Sequence, residues 1–290
     1  MRNLTVPTAI VVFDFDPLVQ LFGDLSVRWG AIALAIVITA ALVLAGILAR
    51  RGGLRGDDVV FITVGIVPGA VIGGRIGYVL THPTMSTGDL SKMFDPSVGG
   101  LDLGLAVVGG FITGVYVAGL LGASVGRWLH VAAAPLLFAI GAGKLTMVLT
   151  GSGQGVPSDA AWATAYLGPG PWGSLVPALP SVPSQALEGA ATLAILAVLA
   201  LVLIAGGFAR RDGRLFFVGI GLWAIARAAV STTWRDPTVV AGLNMGGVLA
   251  IGIGAACVIG IIWLTVRQPT PEDDPRADVN WPEPEARPPF

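Results

Sequence analysis

Apolar residues run along this chain in long, nearly unbroken stretches. Short clusters of arginine, glycine and proline separate them. WGAIALAIVITAALVLAGILA, residues 29–49, is the clearest example. A helix needs about 20 mostly apolar residues to cross roughly 30 Å of hydrocarbon. Seven segments reach that length, near 27–49, 59–81, 101–124, 130–150, 184–206, 215–233 and 241–265. The pattern therefore predicts an all-α, polytopic membrane protein of seven transmembrane helices, occupying residues 1–266. PTMSTGDLSKMFDPSVGG, residues 83–100, reads as an interfacial loop, and the Gly/Pro-rich stretch 151–183 as a loop long enough to carry function. The tail from 267 to 290 is rich in proline and acid and is expected to be disordered. MRNLTVPTAIVVFDFDPLVQ is broken by Asp14 and Asp16 and lacks a small-residue cleavage site, so targeting falls to the first span.

Orientation comes from the arginines between spans. One set of connections carries Arg50, Arg51 and Arg55, then Arg127, then Arg210, Arg211 and Arg214, then Arg267. The opposite set has little beyond Lys92 and Arg235. Basic short loops stay cytoplasmic, which puts the N-terminus outside and the C-terminus in the cytoplasm.

Composition narrows the class further. The chain is 54% hydrophobic and 12% charged, against about 25% charged in soluble domains, so a water-soluble globular protein is excluded. A net charge of −1 gives no electrostatic case for nucleic acid. Cys257 is the one cysteine, which removes disulfides. His82 and His130 lack ligand spacing and read as ordinary interfacial histidines, so neither a metal nor another cofactor is implied.

Within the spans the charged residues stand out. An arginine near the bilayer centre costs about 2.5–3.5 kcal/mol on insertion scales, so Arg75 in VIGGRIGYVL demands compensation. Threading the spans in alternating directions brings Arg75, Lys144, Arg227, Asp102, Gln185, Glu188 and Asn244 to one depth, near the outer leaflet. Intramembrane polar groups face a bundle interior or a wet cavity. Three cations against two carboxylates suit an anion, and the planar arginine fork matches phosphate. The competing reading is that these groups pair with one another or snorkel to the interface. Gly69, Gly73 and Gly77 clear one helix face for close packing, as do Gly110 with Gly114 and Gly242 with Gly246. Arg75 shares a face with Tyr78, and Gln185 with Glu188.

Six segments in order resemble the prolipoprotein diacylglyceryl transferase family of seven-span bacterial membrane enzymes. They are DPLVQLFGDLSVRWG (16–30), GGRIGYVL around Arg75, GLAVVGGFITG, GQGVPSDAAWA (153–163), VPSQALEG (182–189) and RAAVSTTWRDP (227–237). Val108 and Val182 stand where the family has histidine. Lys144, Thr146 and Met147 replace the Arg, Gly and Asn of its Gly-Arg-Ile-Gly-Asn-Phe element, and Ser152 and Leu187 replace a glutamate and a tyrosine.

The resemblance implies transfer of the diacylglyceryl group of phosphatidylglycerol to the cysteine of a precursor lipoprotein, with a thioether formed and glycerol-1-phosphate released. Its partners would be phosphatidylglycerol or a similar anionic phospholipid and the precursor's signal peptide, in the bacterial cytoplasmic membrane. Carried over residue by residue, Arg227, Lys144 and Glu188 become the catalytic candidates. Glu188 would either orient an arginine or accept a proton. Arg75, Tyr78, Asp159, Gln185 and Arg235 become the lipid-headgroup candidates, with Arg75 facing the headgroup. Two other readings stay open: an inactive paralogue that binds phospholipid or assists lipoprotein maturation, and an anion or lipid transporter.

Overall fold

Each apolar segment becomes one helix: α1 (Trp29–Arg51), α2 (Gly56–Thr81), α3 (Leu103–Leu120), α4 (Val125–Thr146), α5 (Ser184–Ile204), α6 (Arg214–Ser231) and α7 (Met245–Val266). The computed structural model describes residues 11–23, 25–83 and 99–267. The expectations for the interior of the 83–100 loop and for the tail beyond Arg267 lie outside the described residues. All seven helices are long and apolar enough to cross a membrane. Their outward side chains fit that setting: Ile36 and Val43 on α1, Val60 and Val64 on α2 and Ile259 on α7 are all exposed. Only closed backbone hydrogen bonding survives in hydrocarbon, and helices supply it locally.

Four boundaries differ instructively from the hydropathy pattern. The fourth helix begins at Val125 rather than near 130, because Arg127 and Trp128 are buried in its first turn. It is α-helical only to Thr146, and a 3-10 turn over Met147–Thr150 finishes the span. Asp102 and Asn244 are not inside spans but cap them. Asp102 Oδ1 accepts from the Leu105 amide at 2.9 Å, and Asn244 Oδ1 from the Gly247 amide at 2.9 Å. Each satisfies an amide that the first turn leaves without an intrahelical partner.

The glycine spacing finds its explanation between α2 and α3. A Cβ at Gly69 would collide with the Gly109 carbonyl, one at Gly73 with the Leu105 carbonyl, and one at Gly109 with the Gly69 carbonyl. The two backbones therefore touch, as small-residue stripes allow in membranes. Gly110 and Gly114 receive Ile66 instead. Gly246 packs on Trp234, but Gly242 lies before α7 in a turn with φ of 79°. It clears no helix face, which corrects the pairing read from spacing.

Leu137 of α4, Leu199 of α5, Trp223 and Ala224 of α6 and Cys257 of α7 form the central core. A second cluster, including Ala49, Ile62, Ala118 and Trp128, joins α1 to α4 at one end of the bundle. The arginines gather at that same end. Arg211 Nη1 donates to the Gly52 carbonyl at 3.5 Å and Arg214 Nη2 to the Leu264 carbonyl at 3.1 Å. Cations at helix C-termini satisfy carbonyls and complement the helix dipole. Asp212, fully buried, ties Arg210 and Arg214 together.

At the opposite end the chain is not purely helical, so the all-α expectation holds for the spans alone. β1 (Val11–Phe13) pairs parallel with β4 (Thr164–Tyr166). β2 (Leu18–Phe22) pairs antiparallel with β3 (Leu25–Arg28), and β5 (Thr238–Val240) with β6 (Leu243–Asn244). β3 runs straight into α1 and β6 into α7, so the ribbons set where those helices enter.

Candidate functional site

Arg227 projects from the last turns of α6 into the bundle, and two carboxylates fix it. Its Nη1 donates to Glu188 Oε1 at 2.8 Å and its Nη2 to Asp102 Oδ2 at 2.9 Å. Glu188, from α5, holds Lys144 of α4 with its other oxygen at 2.9 Å. Arg227 is 4% exposed and Glu188 1%, while the Lys144 side chain keeps 16%. Desolvating charges this deeply costs several kcal/mol per ion, which only mutual pairing with good geometry offsets. Trp234 adds its face, 4.7 Å from the Arg227 guanidinium carbon and 5.8 Å from Lys144 Nζ. An aromatic face over a desolvated cation is favourable in its own right.

Pairing orients these cations without exhausting them. A guanidinium has five N–H groups and an ammonium three. Two of the Arg227 donors and one of the Lys144 donors meet carboxylates, so both side chains retain N–H groups. They line a cavity of about 990 Å³ together with Tyr78, His82, Asp102, Gln185, Glu188, Trp234 and Arg235. Arg227 and Lys144, from separate helices, thus border one opening as parts of a charge-balanced network, and their pairing with Glu188 and Asp102 is what the competing reading of the sequence expected.

The 151–183 segment forms one wall. Its β4 carries Tyr166, which stacks on Phe13 at 4.9 Å and lies 4.8 Å from the Trp172 ring. Burial pushes the Tyr166 phenol up to about 12, so it stays a neutral hydroxyl, and it accepts from Gln185 Nε2 at 3.3 Å. Gln185 is 2% exposed, and its Oε1 has no partner among the described residues. A buried acceptor left open beside a polar cavity is costly unless a donor comes to it.

Gly155 is where this segment docks on the bundle. A Cβ there would collide with Ser184 Oγ and the Thr233 carbonyl, and the Val156 amide donates to that same carbonyl at 2.8 Å. Arg235 completes the joint, with Nε to the Gly155 carbonyl at 2.6 Å and Nη2 to Ser181 Oγ at 2.8 Å. Its Nη1 has no protein partner among the described residues. Arg235 is therefore part staple, part cavity wall.

Of the residues singled out from sequence, Lys144, Glu188, Arg227, Tyr78, Gln185 and Arg235 all line the cavity. Two do not. Arg75 is half-buried on α2, donating to the Gly100 carbonyl at 3.4 Å. It sits two residues from Gly73 and from Gly77, and residues two apart on a helix do not share a face. The glycine-cleared face packs on α3, and Arg75 meets the Gly100 carbonyl at the cavity's edge without lining the cavity itself. Asp159 is exposed on the 151–183 segment, also off the cavity lining. Sequence reasoning missed Trp234 and His82, which line the cavity, and the aromatic stack of Phe13, Tyr166 and Trp172, which meets the site through the Tyr166–Gln185 hydrogen bond. Trp234 lies seven residues beyond Arg227, within the quoted RAAVSTTWRDP, and that proximity was the available signal. Among the described residues no group of three His, Cys, Asp or Glu side chains has metal-ligand geometry.

Val108 is partly buried against the central core, and Val182 is 6% exposed, its backbone paired to Val156. Neither lines the cavity. Both valines are therefore packed residues.

Comparison with known proteins finds relatives along most of the chain. The sequence profile described as prolipoprotein diacylglyceryl transferase matches residues 17–263, from the entry into β2 to the end of α7. The phosphatidylglycerol–prolipoprotein diacylglyceryl transferase of Geobacter sulfurreducens is 30% identical over 244 residues, covering 80% of this chain and 86% of that protein. That of Solidesulfovibrio magneticus is 30% identical over 167 residues, 54% of this chain and 60% of its own. That of Clostridium kluyveri is 32% identical over 103 residues, 36% and 39% respectively. The match runs through all seven helices and the segment that walls the cavity, so this chain belongs to the prolipoprotein diacylglyceryl transferase family.

Proposed function

We propose that this chain transfers the diacylglyceryl group of phosphatidylglycerol to the cysteine of a precursor lipoprotein, in the bacterial cytoplasmic membrane. The observation that carries the reading is the Arg227–Glu188–Lys144 network, whose cations keep unpaired N–H groups and line a cavity large enough for a lipid headgroup. In the reaction a thiolate attacks the glycerol carbon bearing the phosphodiester oxygen. A carbon–sulfur bond forms, the carbon–oxygen bond breaks, and glycerol phosphate leaves with an added negative charge. Fixed donors aimed at that developing charge stabilise the transition state more than the ground state. Arg227 and Lys144 fill this role. Both oxygens of Glu188 are engaged by cations, so its part is orientation of those cations rather than proton transfer. Gln185 Oε1 suits a hydroxyl donor such as the headgroup glycerol, and Arg235 Nη1 adds a further N–H at the rim.

The polar cavity also adjoins an apolar one. A cleft of about 340 Å³ between α2, α3 and α4 shares Leu103, Ala139 and Ile140 with it and continues past Gly114, Ala132 and Trp128. From Leu103 to Ala118 it follows α3 for about 22 Å at 1.5 Å per residue, more than one leaflet's half of a roughly 30 Å core. A ligand polar at one end and aliphatic at the other matches this pair of spaces, whereas a soluble anion uses only the first. Ala132→Phe is expected to disfavour long-chain phosphatidylglycerol over short-chain by about tenfold in a competition read by mass spectrometry of the thioether product. Equal loss for both chain lengths would remove the cleft from the lipid site.

Residues 1–266 act as one membrane domain in this reading. The arginine-rich end faces the cytoplasm under the positive-inside rule, supported by Arg211 and Arg214 meeting the ends of α1 and α7. The cavity then opens toward the outer leaflet. One observation favours a second reading, a lipid-binding paralogue without catalysis: the packed Val108 and Val182 supply no base. Reconstitution with labelled phosphatidylglycerol and a cysteine-bearing precursor peptide separates the two. Thioether product supports the transferase, and saturable lipid binding without product supports the paralogue.

A further inference from the structure

We propose that His82 is the group that takes the proton from the acceptor thiol, an assignment that rests on the transferase reading above. His82 closes α2 as its C-cap, and its ring stacks on Tyr78 with 4.2 Å between centroids and 15° between planes. Nδ1 lies 3.1 Å from the Tyr78 carbonyl and 2.9 Å from Thr81 Oγ1. Thr81 Oγ1 is itself 3.0 Å from the carbonyls of Gly77 and Tyr78. The Tyr78 carbonyl can only accept, so its contact with the ring is a hydrogen bond when the proton sits on Nδ1. The Thr81 hydroxyl then donates to one of its two carbonyls rather than to the ring. That tautomer satisfies all of these contacts at once and leaves the neutral ring's lone pair on Nε2. Nε2 has no partner among the described residues, and His82 lines the polar cavity.

The other titratable groups that line that cavity among the described residues are occupied or chemically unsuited. Lys144, Arg227 and Arg235 are donors. Glu188 is bound by two cations, and Asp102 by Arg227 on one oxygen and the Leu105 amide on the other. Tyr78 is a phenol, whose neutral form has no strongly basic site. Asp236 is exposed at the rim. A hydrated carboxylate is a much poorer match to a thiol than an imidazole, whose ordinary titration falls near neutrality. Among the described residues Arg75, 5.8 Å from the Tyr78 ring, is a further charge beside this turn.

The step balances without a co-reactant. The S–H proton passes to Nε2, the sulfur pair forms the bond to the glycerol carbon, and the electron pair of the broken carbon–oxygen bond departs with glycerol phosphate. The imidazolium then returns its proton to water.

The test uses the full chain in phosphatidylglycerol proteoliposomes with a precursor peptide, comparing wild type, His82→Asn and His82→Gln across pH. Asn keeps a polar group near the Nδ1 position and removes the Nε2 base; Gln is a second, differently shaped replacement. Both are expected to lose about 10²–10⁴-fold in turnover at neutral pH while binding phosphatidylglycerol as wild type does. The deficit should shrink as pH passes the thiol's ordinary value of about 8.5, where thiolate forms without a base. Wild-type turnover in both variants overturns the assignment. So does a deficit that is the same at every pH, or one matched by lost lipid binding. In those cases the wild type still makes thioether and the transferase reading stands. A wild type that makes none overturns both.

Discussion

Arg227→Gln is expected to lower the rate of thioether formation by about 10²–10³-fold, the usual cost of removing one donor aimed at developing negative charge. The loss follows from position. Arg227 joins the Asp102 end of the network to the Glu188 end, and it lines the cavity with N–H groups to spare. Glutamine can restore at most part of that hydrogen bonding and none of the charge. Without the guanidinium, Asp102 loses the one cation that pairs with it among the described residues, and Glu188 keeps Lys144 alone. Breaking a buried pair on one side costs roughly 3–5 kcal/mol, so folding must be measured beside activity. Arg227→Lys separates the two effects. Lysine retains the charge but cannot reach both carboxylates with a planar fork, so it should recover thermal stability in detergent more fully than it recovers rate. Equal recovery of both would make Arg227 a structural pin only.

The second large effect is on the fold. Gly73→Leu is expected to prevent stable folding, because even a Cβ at that position collides with the Leu105 carbonyl across the α2–α3 contact. Overpacking in an adaptable core costs about 1–3 kcal/mol, but here the obstacle is backbone, which cannot change rotamer. Separation of α2 from α3 would also break the 2.8 Å hydrogen bond from the Asp102 amide to the Gly74 carbonyl, and so displace the carboxylate that holds Arg227. Gly119→Leu is the control. It lies near the far end of α3, with nothing within 4 Å of where a Cβ would stand, and should leave yield and detergent melting unchanged. Loss of folded protein in both variants would point to helix insertion rather than to the glycine contact.

Arg227 and Gly73 also mark how far the sequence could be read. Span number and glycine packing were legible because both depend on local regularities, a run of apolar residues and a four-residue spacing. The layer of polar groups was legible as a depth but not as a set of bonds. Arg227 meets Asp102 from 125 positions away and Glu188 from 39. Nothing periodic encodes which carboxylate an arginine will find. Asp102 and Asn244 share that depth partly because helix starts need capping residues there. The cavity-facing expectation for Arg75 fails because the spacing of its neighbours says nothing of which side of the helix the arginine takes. The ribbons leave no signal, since β1 has three residues and draws its partner from the 151–183 segment, far along the chain. His82 reads in sequence as an ordinary interfacial histidine. Its tautomer depends on the Tyr78 and Thr81 oxygens at the end of α2, a geometry that exists only because the helix stops there.

The most direct measurement is the position of the phosphate of bound phosphatidylglycerol, by structure determination in nanodiscs of that lipid. Phosphorus within about 4–5 Å of the side-chain nitrogens of both Arg227 and Lys144, with an acyl chain leading past Ala139 into the apolar cleft, is the result expected from charge-assisted contacts. Lipid phosphate resting instead at the arginine-rich end beside Arg214 and Arg267, with only water between Arg227 and Lys144, would contradict it.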